Sequence, residues 1–228
     1  MNLDPSHFDC FCKIYGKPPV QKPVGFAPSS YTHRPARSIP KKYWRGRLNR
    51  VDLRRICRDP TVDVLSAFSC TMAWGGQRHN HFRVAIKSHS LRQVLELLRA
   101  GLPRDVAFKL LNDLYRQKKL PGLGIAFFTK LIFFFSPSAD GFILDQWTAK
   151  SAALLCTFPP IRLGGSGKYH FPATDTSGAE YLDFCKFVEH LTKQLNKRLK
   201  SWTNSQTEIA LFGGKGTAWR KHVATHFQ

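Results

Sequence analysis

Beyond residue 59 the apolar positions recur at helical spacing, and nowhere do they alternate long enough to predict a run of strands. Thr61 stands where a cap is needed for a helix running to about Ala73. Ser90 and Gln93 read as a capping box for a helix through Ala100, closed by Gly101. Pro103 then starts a helix with Val106, Leu110, Leu111 and Leu114 on one face. Further helices are predicted over about Ile125 to Phe135 and Gln146 to Cys156. The Pro- and Gly-rich stretch 158–176 reads as a long loop. Ser177 and Glu180 form another capping box, for a helix to about Leu199. That helix turns Tyr181, Phe184, Cys185, Val188, Leu191 and Leu195 inward and keeps its lysines outside. The pattern predicts a mainly α fold. Six prolines between Pro18 and Pro40 make residues 1–58 read as an irregular basic arm ahead of a helical domain over 59–228; short strands in the arm cannot be placed from the sequence.

One segment stands out. A helix ends near Lys119, and Leu120-Pro121-Gly122-Leu123-Gly124 leads straight into the next. Glycine–hydrophobic–glycine between two helices is the core of a helix–hairpin–helix. The glycines permit positive φ and the close approach of another backbone, and Leu123 is expected between the helices. The first N–H groups of the second helix have no partner within it, so they can bind a phosphate, with Lys118 and Lys119 beside them. Such a grip holds DNA without reading its sequence.

The charge points the same way. The chain of 228 residues carries 35 Lys and Arg against 15 Asp and Glu, a formal net charge of +20. Its 43% hydrophobic content is enough to bury a core, which excludes a basic disordered tail. So large an excess opposes compaction and calls for an anionic partner. Residues 31–58 concentrate it, with ten Lys and Arg against Asp52 alone. Lys41, Lys42 and Arg45 surround Tyr43 and Trp44, a mixture of cations and aromatics suited to phosphates and unstacked bases. No apolar stretch is long enough to span a membrane, and residues 1–12 do not read as a signal peptide, so a soluble, cytoplasmic and nucleoid-associated monomer is expected. The six cysteines include no C-x-x-C pair, and no Cys or His group reads as a zinc site; neither a metal nor a cofactor is expected.

Other residues are candidates for a base pocket. Trp74 ends a helix before Gly75, Gly76 and Gln77, where an indole can stack on an extruded base and an amide can bond its edge. Core packing is the other reading of Trp74. Trp147 has the same two readings. The Gly-rich stretches 162–168 and 212–221 lack P-loop spacing and are either phosphate-contacting loops or turns.

Leu120-Pro121-Gly122-Leu123-Gly124, followed 21 residues beyond Gly124 by Asp145 in Leu144-Asp145-Gln146-Trp147, resembles the helix–hairpin–helix DNA glycosylase superfamily. The nearest branch is that of the 8-oxoguanine glycosylases, in a divergent form of bacterial type. The resemblance implies a helical glycosylase bundle and double-stranded DNA as partner. It also implies excision of a modified base, either a damaged purine such as 8-oxoguanine or a hypermodified phage base. On the family pattern Asp145 is the essential carboxylate, although a helix cap is its other reading. The family's nucleophilic lysine falls at Ala126, so that lysine is absent from its usual place. Lys130, four residues on and on nearly the same helix face, is the candidate substitute amine; the alternatives are water activated by Asp145 and a Lys130 that only touches phosphate. A DNA- or RNA-binding protein without catalysis is the competing reading of the whole.

Overall fold

The computed structural model describes residues 1–20, 22–31, 39–138, 140–166 and 169–227. The helices are α1 (Pro5–Ile14), α2 (Lys41–Arg45), α3 (Arg50–Arg58), α4 (Val64–Gly75), α5 (His79–Ala85), α6 (His89–Arg99), α7 (Arg104–Arg116), α8 (Ile125–Phe135), α9 (Gln146–Leu155), α10 (Gly178–Arg198), α11 (Asn204–Phe212) and α12 (Ala218–Thr225). A two-stranded antiparallel hairpin, β1 (Leu163–Gly164) and β2 (Phe171–Pro172), pairs Leu163 with Pro172 and Gly164 with Phe171. The protein is therefore mainly α. No helix among the described residues is long and apolar enough to cross a membrane.

The chain divides into two compact units, residues 21–141 and residues 1–20 with 142–228. In the first unit α8 is the core. Phe128 and every residue from Leu131 to Phe135 are buried, and α3, α4, α6 and α7 pack around them. Burying a run of side chains of this size supplies most of the driving force for the unit, at about 1.5–3 kcal/mol per side chain. In the second unit α9 lies against α11 and α12. Trp219 of α12 is buried and donates its indole N–H to Ser151 Oγ at 3.0 Å; that hydroxyl donates to Leu211 O at 2.7 Å. Phe11 of α1 meets Trp219 edge to face at 4.7 Å.

Several expectations hold. Helix α8 spans 125–135 as the pattern predicts, and the Ser177–Glu180 capping box is formed, with all six inward residues of α10 buried. Others are corrected. Helix α4 is capped by Asp63, which accepts from Ser66 N, whereas Thr61 is bonded back to Asp59. Helix α6 starts at His89 with Ser88 as its N-cap rather than from a Ser90 box, and the Ser88 hydroxyl makes no cap bond, donating to Lys119 O at 2.5 Å instead. On α7 the buried face is Ala107, Phe108 and Leu111, and Val106 is 46% exposed. The loop 158–176 contains the β hairpin. Residues 1–58, read as an irregular arm, carry α1, α2 and α3 and a 3-10 turn over Pro28–Ser30. Arg34 and Arg37 of the basic stretch lie outside the described residues, as does Lys168.

Candidate active site and nucleic-acid interface

In the unit of residues 21–141, α7 and α8 form the expected helical hairpin. Leu120 and Leu123 are both buried, as the hairpin requires. The turn is tightened by bonds from Lys118 N to Tyr115 O and from Lys119 N to Leu114 O, at 2.9 and 2.8 Å. Lys118 itself takes a left-handed backbone, φ 59°. Gly122 sits at φ 80°, and a Cβ there would come within 2.5 Å of His81 O. The fold itself therefore demands glycine at this position. Gly124 is different. It occupies the N-cap of α8 with φ −90° and no side-chain cap, and a Cβ there would meet nothing within 4 Å. Nothing inside the protein requires glycine at 124, and the space above this helix N-terminus is open. Lys118 and Lys119 are exposed beside it.

Gln77, read as a base-edge amide, is occupied by the hairpin. It is buried, its Nε2 donates to Gly122 O at 2.7 Å, and its Oε1 accepts from Arg78 N at 2.9 Å. Its place is beneath the turn. Trp74 is also buried, edge to face with Phe134 at 4.8 Å and with the Arg50 guanidinium 5.4 Å from its ring. Its indole N–H is buried and has no hydrogen-bond partner among the described residues. Lys130 lies one residue from it through Gly75: a Cβ on Gly75 would stand 3.1 Å from Lys130 Cδ. The ammonium of Lys130, a side chain left 9% exposed, donates to Ala126 O at 2.8 Å and sits 4.8 Å from the Phe127 ring. The structure thus packs Lys130 against Gly75, while the Trp74 ring faces Phe134 and Arg50.

The basic stretch of the same unit is built into the fold through its aromatics. Trp44 is buried, and Tyr43 donates to Asp52 Oδ1 at 3.1 Å. Neither ring is a free stacking platform. Lys41, Lys42 and Arg45 remain exposed on α2.

In the other unit Asp145 is the N-cap of α9. Its Oδ1 accepts from Trp147 N at 2.8 Å and Thr148 N at 3.0 Å, while Thr148 Oγ1 accepts from Asp145 N at 2.8 Å. The capping reading is therefore real, and it consumes one carboxylate oxygen. The other, Oδ2, has no hydrogen bond or ion pair among the described residues. Trp147 carries the Arg220 guanidinium over its ring at 4.0 Å and the Lys150 ammonium at 5.1 Å. Its indole N–H is buried without a partner among the described residues. Burial holds the Arg220 guanidinium below its usual range, and the negative charge of Asp145 opposes that.

Lys150, on α9 five residues beyond Asp145, was not singled out by sequence. It is buried, and desolvation, with Arg220 adding to it, lowers its ammonium from the ordinary lysine range. No local pattern marks it, since its burial comes from the packing around α9. His7, His222 and His226 were also missed, although His222 and His226 stand at i, i+4 on α12 and its C-cap. One ligand nitrogen from each lies within 4.8 Å of the others. Arg162, from the Gly-rich stretch, is tied to Glu180 and Asp175 at 2.6 and 3.1 Å, pinning β1 to α10.

No curated protein and no solved structure matches the chain. A family model does, that of the OGG family, described as "Putative 8-oxoguanine DNA glycosylase OGG-like protein", over residues 18–212. With the match covering most of its length, the chain belongs to this OGG-like family.

Proposed function

We propose that the protein is a DNA glycosylase that flips a modified base out of duplex DNA and cuts its glycosidic bond, leaving an abasic site. The observation that carries this reading is Asp145, which completes a cap with one oxygen and keeps the other without a hydrogen bond among the described residues, 21 residues beyond an uncapped hairpin glycine in the family's order. Breaking an N-glycosidic bond develops positive charge on the deoxyribose. A fixed carboxylate stabilises that charge, and its free oxygen can take a proton from the attacking water. The hairpin N-terminus with Lys118 and Lys119, and the exposed cations of α2, neutralise backbone phosphates. Among the described residues Trp74 and Trp147 each hold a buried indole N–H without a hydrogen-bond partner, which costs about 1–3 kcal/mol.

For the nucleophile, water fits better than Lys130. The family's amine position is Ala126, and the Lys130 ammonium is turned to Ala126 O at 2.8 Å and to the Phe127 ring at 4.8 Å. The reading is of a hydrolase, with lyase activity confined to whatever Lys130 contributes. 8-Oxoguanine in duplex DNA is the first substrate, following the family description, and a hypermodified phage base is the second. Excision of the latter would make the role antiviral defence.

The test is base release, followed by mass spectrometry, on duplexes carrying 8-oxoguanine and on modified phage DNA. Release by the native chain, lost in Asp145→Asn with DNA binding intact, is expected. Binding without release from any of these DNAs would leave a DNA-binding protein without catalysis. Borohydride trapping on abasic-site DNA separates the nucleophiles: water gives no covalent adduct, and an adduct lost in Lys130→Ala would assign the amine.

A further inference from the structure

His7 stands in the first turn of α1, and His222 and His226 lie one helical turn apart at the end of α12. Their rings form a closed triangle, with centroids 5.4, 4.9 and 4.7 Å apart. His7 Nδ1 and His222 Nε2 face one another at 3.2 Å, a distance at which one proton is shared between two nitrogens. Two ligands of a tetrahedral zinc ion, each about 2.0–2.1 Å from the metal, lie about 3.3–3.4 Å apart, so this pair is already set at the edge length of such a site. His226 turns its Nδ1 to the carbonyl oxygen of His222 at 2.9 Å and to the Thr225 hydroxyl at 3.2 Å, which leaves Nε2 as the ligand. A backbone carbonyl behind a ligating imidazole is the usual means of fixing its tautomer. The three rings are held on rigid supports. Asp4 caps the helix that carries His7, and His222 stacks on the buried Trp219 at 5.3 Å.

We propose that His7, His222 and His226 form a three-histidine site for a divalent transition metal, zinc by preference, that fastens α1 to α12. Three neutral imidazoles without thiolate or carboxylate suit the borderline cations and are a poor set for magnesium or calcium. Zinc takes the place of the proton between the two nitrogens, and that proton moves through solvent to the other ring nitrogen of the histidine that donated it, so both imidazoles stay neutral. His226 closes by a movement of its exposed ring, since the three nitrogens now lie within 4.8 Å of one another. The fourth position faces water beside His226. The consequence reaches α9, because α12 also holds Arg220 over Trp147 at 4.0 Å. The proposal stands on the geometry of this corner alone and does not depend on the glycosylase reading.

The full chain without a polyhistidine tag, stripped with a chelator, is titrated with zinc sulfate by calorimetry and with cobalt(II) by visible absorption. One metal per chain is expected, with the intense visible bands of tetrahedral cobalt. A rise in thermal midpoint of about 5–10 °C at free zinc 100 times Kd should accompany it. His7→Ala and His226→Ala should each weaken zinc by at least about 100-fold, since losing a group one shell further out already costs 10–100-fold. His79→Ala and His81→Ala should leave it unchanged. Histidine-ring NMR of the native chain needs no variant: one equivalent of zinc should move three of the nine histidine rings. Absence of stoichiometric binding, wild-type affinity in both His7→Ala and His226→Ala, or zinc-induced shifts confined to other histidines would overturn the proposal.

Discussion

Helices α8 and α9 follow one another in the chain and close their N-termini in opposite ways. Each helix start carries about half a positive charge from its aligned peptide dipoles. At α8 the N-cap is Gly124, with no side chain to answer that charge and nothing above it. At α9 the N-cap is Asp145, whose Oδ1 takes two backbone N–H groups. The first arrangement leaves donors for an anion from outside. The second fills them and fixes a carboxylate in one orientation, with an oxygen to spare. On the proposed function, the same backbone end serves as a phosphate seat when the cap is glycine and carries a catalytic carboxylate when it is aspartate.

Exchanging charge while keeping the cap tests the second half of the comparison and has the largest expected effect. Asparagine caps helices about as well as aspartate, so Asp145→Asn should leave thermal stability within about 0.5 kcal/mol. The lost carboxylate should reduce base release by about 10²–10³-fold, the usual scale for removing one preorganised stabilising group. Asp145→Ala should lose the same activity and about 1 kcal/mol of stability besides. Equal activity in Asp145→Asn and the native chain would make Asp145 a cap only.

The two glycines of the hairpin break the first half of the comparison apart. Gly122→Ala forces a side chain into φ 80° and against His81 O, so the fold should lose about 2–3 kcal/mol, read by chemical denaturation. Gly124→Ala meets nothing within 4 Å at an ordinary φ and should cost the fold about 1 kcal/mol or less. It should nonetheless weaken duplex DNA about tenfold, because the added methyl stands where a phosphate would sit; each tenfold is about 1.4 kcal/mol. Unchanged binding in Gly124→Ala would move the phosphate contact away from this helix start.

What the sequence made legible were the features whose partners are close in the chain. The Ser177–Glu180 box, the limits of α8 and the need for glycine at 122 rest on contacts within a few residues or on backbone geometry. The misreadings have partners far away. The cap of α6 is Ser88 rather than Ser90, and its hydroxyl goes to Lys119, 31 residues on; Gln77 is spent on Gly122, 45 residues on. The histidine triangle joins residues 215 apart. Helices α1 and α3 are a different case, because Asp4 before Pro5 and Asn49 before Arg50 are ordinary helix starts. The density of proline and charge around them hid the signal. Asp145 was picked out through its spacing from the hairpin, whereas the oxygen left without a hydrogen bond among the described residues was not, because that depends on which atom the cap uses.

The smallest expected effect concerns the charge around the open helix start. Lys118 and Lys119 are exposed, and Lys118 holds a left-handed backbone that aims the turn rather than the core. If both neutralise phosphates, Lys118→Ala with Lys119→Ala should flatten the log–log dependence of DNA affinity on salt by about 1.8, near 0.9 per contact on duplex DNA. Stability should barely change, since exposed lysines contribute little to folding. The rate of base release at saturating DNA should also hold if these residues only grip the backbone. A salt slope unchanged in the double variant, with affinity lowered in Gly124→Ala, would show that the helix start holds the phosphate through its backbone amides alone.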